Sequence, residues 1–260
     1  MPTPTLSIVA SKTGTFDVTG PRHFSAGRVN LVLKAQKGEQ EVAIARLHGT
    51  YTYKDLARDF ATYGQAADNP TPKALKALNR IVRRTTFYGG LDTGTGHNTV
   101  SGSVVLPKAG TYLLLNDANG PGGGGKVNLH VSTRIGYRTA PAVSGVVRAT
   151  TSKRFRGAKN LPANGTIEFK NNSKNSPHFL FLQHVKKGTT RKQVIKALHS
   201  NGPGPIRKGA VGTDVLFMGH TQTLTYSLPA GDYAELCFFP DLKTGMPHAL
   251  MGMVRVVHLS

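Results

Sequence analysis

"LPAGDYAELCFFPDLKTGMPHALMGM", residues 228–253, contains the only cysteine of the 260-residue chain, one histidine and three of its five methionines. Its first part has a twin. "LPKAGTYLLLN" at 106–116 parallels "LPAGDYAELC" at 228–237, a small-residue turn followed by a tyrosine and a strand. The parallel extends upstream, where "AGRVNLVLKAQKGEQEVAIARL" at 26–47 matches "NGTIEFKNNSKNSPHFLFLQHV" at 164–185. Each copy reads as a strand, a polar turn and a second strand, by alternation of apolar and polar residues. Helical stretches follow: "YKDLARDFATYG" and "TPKALKALNRIVRR" in the first copy, "TTRKQVIKALHS" in the second. Their Thr-rich starts read as helix caps. A loop with a histidine, His97 or His220, then leads to the "LP…AG" turn, and "KVNLHVS" or "MVRVVHLS" closes each copy with an alternating strand. Two copies of one β-sandwich account for this order. The boundary falls near "TRIGYRTAPAVSG", giving domains at 1–133 and 143–260.

Composition agrees. Hydrophobic residues make up 38% of the chain, a globular proportion, and 30 glycines with 15 prolines favour strands and turns over helices. The formal charge of +20 implies an anionic partner: an anionic cell-wall polymer, an acidic membrane surface or nucleic acid. The basic runs are "RIVRR" at 80–84, "KRFRGAK" at 153–159 and "KKGTTRK" at 186–192. No zinc-finger spacing or RNP sequence accompanies them, so nucleic acid ranks last and a solvated basic surface first. One cysteine excludes an intrachain disulfide and leaves the compartment open. No apolar run is long enough to span a membrane. The N-terminal residues lack the pattern of a signal peptide, so export implies a leader already removed.

The second copy resembles the cupredoxin (plastocyanin-like blue-copper) family over most of residues 143–260, in a tandem form whose first domain is degenerate. "NNSKNSPHFLFL", "LPAGDYAELC" and "PHALMGMVRVV" carry the resemblance. In that family a histidine follows an Asn-rich turn, a strand ends in cysteine, and a loop supplies a second histidine and a methionine. The resemblance implies His178, Cys237, His248 and Met253 as ligands of one mononuclear copper. It also implies an all-β fold, two tandem Greek-key β-sandwiches with short helical insertions, and one-electron transfer or copper holding. Donor chemistry is consistent: a thiolate and two imidazoles with a weak axial thioether suit copper in either oxidation state.

Two departures stand out. Ten residues separate Cys237 from His248, against the family's two to four, so "FFPDLKTGM" must fold as a hairpin-like bulge. "PDLKTG" is turn-forming, with Pro240 and Asp241 expected to start a turn, Gly245 to close it, and the loop to cover Phe238 and Phe239. Phe179 stands where the family commonly has an asparagine bracing the cysteine loop. In the first copy Gln40, Asn116, Pro121 and Lys126 replace the four ligands, so that domain is expected to be metal-free. His184, His97 and His220 read as structural.

Catalytic signals are weak. No "HxH" or "HCH" run occurs, the thirteen acidic residues are scattered, and "GPGGGG" at 120–125 lacks the Lys-Ser/Thr of a P-loop. The expectation is a non-enzymatic, exported bacterial copper protein with a redox partner protein. The alternative is a metal-free cell-envelope module gripping an anionic polymer.

Overall fold

Two short turns set the architecture. Tyr112 donates its hydroxyl to the Lys108 carbonyl at 2.7 Å, and Tyr233 donates to that of Pro229 at 3.0 Å. Both bonds span four residues and close the "LP…AG-x-Y" corner, as tyrosine corners do in β-sandwiches. The computed structural model describes residues 3–11, 16–67, 69–116, 124–136, 139–200 and 204–260.

The first half contains β1 (Thr5–Ala10), β2 (Phe16–Thr19), β3 (His23–Ala35), β4 (Glu41–Leu47), β5 (Thr85–Asp92), β6 (Thr99–Leu106), β7 (Gly110–Asn116) and β8 (Lys126–Ile135). The second contains β9 (Gly145–Ala149), β10 (Phe155–Gly157), β11 (Asn160–Leu161), β12 (Asn164–Asn171), β13 (Phe181–Val185), β14 (Ile206–Thr213), β15 (Thr221–Ser227), β16 (Gly231–Leu236) and β17 (Val254–Leu259). One sheet runs β2–β1–β3–β6–β15–β12–β9–β10. The facing sheet starts at the beginning of β3 and runs β8–β7–β4–β5–β14–β13–β16–β17–β11. The chain crosses between sheets before β4, β6 and β7 and at the matching places of the second half, in Greek-key fashion.

β3 changes sheets at a bulge between Ser25 and Ala26. The second half makes the same move between β10 and β11, beside Gly157 at φ 116, where a Cβ would lie 1.9 Å from the Val146 carbonyl oxygen. At the second corner the bend needs a conformation and a close approach that only glycine tolerates.

The helical insertions occupy equivalent places. α1 (Tyr53–Gly64) and α2 (Pro72–Arg84) separate β4 from β5, and α3 (Arg191–Ser200) separates β13 from β14. Their threonines cap them as the sequence suggests: Thr52 and Asp55 form a capping box, and Thr71 accepts from the Ala74 N–H ahead of Pro72 at the first turn. Thr190 and Gln193 exchange the same pair of bonds at α3. Buried Asp59 in α1 accepts from Arg80 of α2 at 2.6 and 2.7 Å and from the Tyr51 hydroxyl at 2.8 Å, locking the two helices together.

Both sheets continue from one half into the other. β5 pairs with β14 and β6 with β15, each joining equivalent strands. The register is self-complementary: Ser103 faces Thr223 and Ser101 faces Thr225, as a local two-fold axis requires. Ser103 and Thr223 share a hydroxyl hydrogen bond at 2.8 Å, and Gln222 reaches across to the Gly90 N–H at 2.9 Å.

Register also tests the proposed equivalences. Leu236 faces Phe181 and Leu115 faces Ala43, which places Gln40 at the position of His178 and Asn116 at that of Cys237. Two assignments shift by one residue. Leu236 faces Val254 while Leu115 faces Lys126, so Gly125, not Lys126, corresponds to Met253. The Asn171 N–H bonds the His220 carbonyl where the Ala35 N–H bonds that of Asn98, so His220 corresponds to Asn98 rather than His97. Pro121 and most of the 120–125 stretch lie outside the described residues.

Candidate metal centre

The end of the second sandwich is built from three segments that the strand pattern brings together. The first is the turn after β12. Asn171, fully buried, donates its side-chain amide to the Ser176 and Leu216 carbonyls at 3.0 and 2.8 Å, and its Oδ1 accepts from the Ser173 N–H at 2.9 Å. The Ser173 hydroxyl accepts from the Asn175 and Ser176 N–H groups. This side-chain bonding shapes 171–177 without strand pairing. It delivers His178 to a two-way backbone bridge with Leu216, at 3.1 and 2.8 Å.

The second segment is the end of β16, where Cys237 follows Leu236 into the core. The third is the loop back to β17. The Ala249 N–H donates to the Cys237 carbonyl at 2.7 Å, that of His248 to Phe239 at 3.0 Å, and that of Met253 to His248 at 2.8 Å. The inserted loop is the expected hairpin. Pro240 pairs with Pro247, the Asp241 N–H donates to Met246, and the Gly245 N–H to Asp241. Asp241 Oδ1 accepts from the Lys243 and Thr244 N–H groups at 3.0 and 2.9 Å. The loop covers Phe239 but not Phe238, which is 38% exposed, because successive residues of an extended segment face opposite ways.

These segments place His178 Nδ1 3.6 Å and His248 Nδ1 3.7 Å from Cys237 Sγ, with the two nitrogens 3.1 Å apart. All three residues are fully buried, and they form the one group of three or more potential ligands found among the described residues. A point equidistant from atoms so spaced lies about 2 Å from each, the range of metal–nitrogen and metal–sulfur bonds near 2.0 and 2.3 Å. Met253 is fully buried in the core cluster that also holds Cys237.

Electrostatics keeps both imidazoles unprotonated. Burial pushes His178 down to about 3, with His248 and Lys153 adding to the effect and the Thr150 backbone opposing it. Burial and Lys153 push His248 down to about 4 against the pull of Asp241. Both rings are therefore neutral at physiological pH, with a lone pair free to bind. Burial lifts the Cys237 thiol to about 12 even though the Phe179 and Phe239 N–H groups favour its thiolate. Phe179 lacks the side-chain brace of an asparagine, but its backbone still supports the sulfur. Nε2 of each histidine is buried without a hydrogen-bond partner. The two Nδ1 atoms and the thiol have one another as partners, a soft donor set that a transition-metal cation would suit.

In sequence the basic runs read as a solvated surface, yet three of their residues serve this loop. Arg154 and Arg191 both donate to the Gly252 carbonyl, at 2.9 and 2.6 Å, and Arg191 also donates to Val254 at 3.0 Å. Lys153 pairs with Asp241 at 2.9 Å. Neither these nor Asn171 carries a sequence signal beyond a charge run and an Asn-rich turn. His184 stacks on Tyr233 with centroids 4.9 Å apart, and His220 packs on Tyr88 at 4.8 Å, both away from the cluster.

No protein-family model matches the chain, and no curated protein does. Among solved structures it is similar to the dithionite-reduced auracyanin of Roseiflexus castenholzii, with 24% identity over 44% of this chain and 94% of that one, TM-score 0.30. It is also similar to auracyanin A of Chloroflexus aurantiacus, a "blue" copper protein, with 20% identity over 49% and 98% of the two chains, TM-score 0.33. The copper nitrite reductase of Nitrosomonas europaea aligns over 98% of this chain and 93% of its own, with 13% identity and TM-score 0.26. These are likenesses of low score; the fold stands on its strand pairs, and the site on its own atoms.

Proposed function

We propose that the chain would hold one copper ion at the end of its second sandwich, through Nδ1 of His178, Nδ1 of His248 and Sγ of Cys237, with the buried Met253 thioether as a further, weaker donor. The observation that carries this reading is the convergence of two neutral imidazole nitrogens and one sulfur within 3.7 Å in a fully buried setting. Bound there, copper would supply a one-electron couple. The residues do the rest. The Phe179 and Phe239 N–H groups stabilise negative charge on the sulfur. Asn171 fixes the approach of His178, and Arg154 and Arg191 hold the loop that ends in Met253.

Complete burial of all three donors favours holding copper and outer-sphere electron exchange over turnover of a bound substrate. We take 1–133 and 143–260 as the two domains, the first without a metal, and export to the cell envelope as the setting. A redox partner protein would meet the ligand end. Lys186, Lys187 and Lys196 line a surface cavity of about 410 Å³ beside α3, a place for an anionic polymer or membrane surface. Copper analysis of purified protein after incubation with Cu(I) or Cu(II), beside Cys237→Ser, tests the reading. It requires about one copper per native chain and markedly weaker retention by the variant; a native chain that retains none sinks it.

A further inference from the structure

The inserted loop between Cys237 and His248 does not end in solvent. It reaches the helical pair of the other half. The Tyr63 hydroxyl of α1 donates to the Gly245 carbonyl at 3.2 Å, and the Asn79 side-chain amide of α2 donates to that of Leu242 at 2.8 Å. Gly245, at φ 74, sits so close that a Cβ there would lie 2.4 Å from Pro70 Cγ and 3.2 Å from Leu75 Cδ2. Tyr63 and Leu242 pack against the core cluster that contains Cys237 and Phe239. On the other side Lys153 pins Asp241, and the Phe239 ring lies 6.0 Å from that of His248. The helices are a firm anchor, since the bidentate bond of Arg80 to buried Asp59 ties them to each other.

We propose that α1 and α2 form a latch on the cover of the metal centre, with Tyr63 and Asn79 as positioning residues that hold 240–247 closed. The half without ligands thereby governs access to Cys237 and His248. The physical case is local. Within the loop, hydrogen bonds of Asp241 and the Pro240–Pro247 pairing shape the hairpin but do not fix where it points. The contacts to Tyr63, Asn79, Pro70 and Leu75 fix its direction on one side, and the Lys153–Asp241 ion pair holds it on the other. Releasing them lets the hairpin swing as a unit about its ends without unfolding either sandwich, the sub-global opening that loops with few anchors undergo. For copper, opening would set the rates of loading and release, and this biological meaning rests on the copper reading above.

The test needs no metal. Cys237 is the only thiol and is fully buried, so its reaction with an aromatic disulfide reagent in metal-free protein reports opening. Native protein, Tyr63→Phe, Asn79→Ala and the double variant are compared, with the urea midpoint measured for each. The latch predicts thiol reaction at least about tenfold faster in the double variant, with the urea midpoint close to native. A tenfold change corresponds to about 1.4 kcal/mol of opening free energy. Equal rates in native and double-variant protein overturn it. Should the double variant be globally destabilised, Tyr63→Phe decides alone, because it deletes one hydroxyl: about threefold faster reaction supports the latch, and an unchanged rate overturns it. Because the readout is the thiol, a chain that binds no copper could still have the latch, and a copper protein could lack it.

Discussion

β16 and β7 end at equivalent places in the two halves, and the two ends differ in chemistry rather than in shape. One presents Cys237 to His178; the other presents Asn116 to Gln40, both buried. The strands on either side pair in the same register, so the scaffold fixes where the residues sit. Their side chains decide what those positions can hold. Imidazole and thiol offer soft lone pairs to a transition metal, whereas amides offer hard, neutral oxygens of low affinity for one. A second contrast lies two residues back along the same strands. Glu235 faces Arg255 in the second half, and Leu114 faces Val127 in the first. The ion pair is bidentate at 2.6 and 2.7 Å, and its guanidinium also reaches the Gly157 and Ala158 carbonyls. Burial lifts Glu235 to about 6 against the pull of Arg255. One half solves this position with an ion pair and the other with hydrocarbon.

On copper binding, the largest effect comes from erasing the first contrast. Cys237→Ser turns the soft donor into a hard one, and we expect copper affinity to fall more than about a hundredfold, or about 2.8 kcal/mol, in a competition titration against a chelator of known strength. Circular dichroism should show the sandwich intact, because the change is nearly isosteric.

Breaking the second contrast ranks next. Arg255→Ala leaves Glu235 buried and unpaired and should destabilise by about 3–5 kcal/mol in urea unfolding at neutral pH. Glu235→Leu combined with Arg255→Val copies the first half and should recover most of that loss. If the double variant were as unstable as the single one, the pair would be needed for itself and not merely to neutralise its own buried charge.

The halves also meet at a symmetric pair, Asp92 and Asp214, both buried. Burial raises Asp92 to about 7, with Glu39 adding to the shift and the Gly94 N–H opposing it. A carboxyl raised in the folded state binds its proton more tightly folded than unfolded. Its contribution is fully present below the unfolded value of about 3.9 and is lost as pH rises to about 7. Asp92→Asn keeps the acceptor for Gly94 and removes that loss. Its stability relative to native should improve by a few kcal/mol between about pH 4 and about pH 8 in paired urea melts. A difference that does not change with pH would show that Asp92 keeps an ordinary value.

The smallest effect is expected at Asn171, whose counterpart is Ala35. Asn171→Ala copies the first half and leaves the Ser176 and Leu216 carbonyls without their donor, at a cost of about 1–3 kcal/mol in stability. Copper affinity should fall with it, since His178 loses the turn that places it.

Much of this was legible in the sequence, for physical reasons. Strand alternation, Thr helix caps and the paired "LP…AG-x-Y" turns are local signals, and they gave the repeat and the place of the helices. The cluster was legible because the chain has a single cysteine and His178 and His248 fall near strand ends that a sandwich can bring beside it. What depends on long-range packing was not. That both sheets run on through β5–β14 and β6–β15 follows from matching surfaces, which no periodicity encodes. The role of Arg154 and Arg191 was hidden in charge runs, because a guanidinium bound to a buried-loop carbonyl reads the same in sequence as one in water. The docking of the 240–247 hairpin on Tyr63 and Asn79 joins residues more than 160 positions apart. The one-residue offsets at Gly125 and Asn98 came from loops of unequal length, where alignment by residue type has nothing to hold it.

X-ray absorption at the copper edge of the loaded native protein addresses the central claim most directly. The account predicts one copper per chain, with a short sulfur contact and two imidazole nitrogens in its first shell, the sulfur being lost in Cys237→Ser. Copper bound only by nitrogen and oxygen, or a spectrum unchanged by Cys237→Ser, would place the metal elsewhere and contradict it.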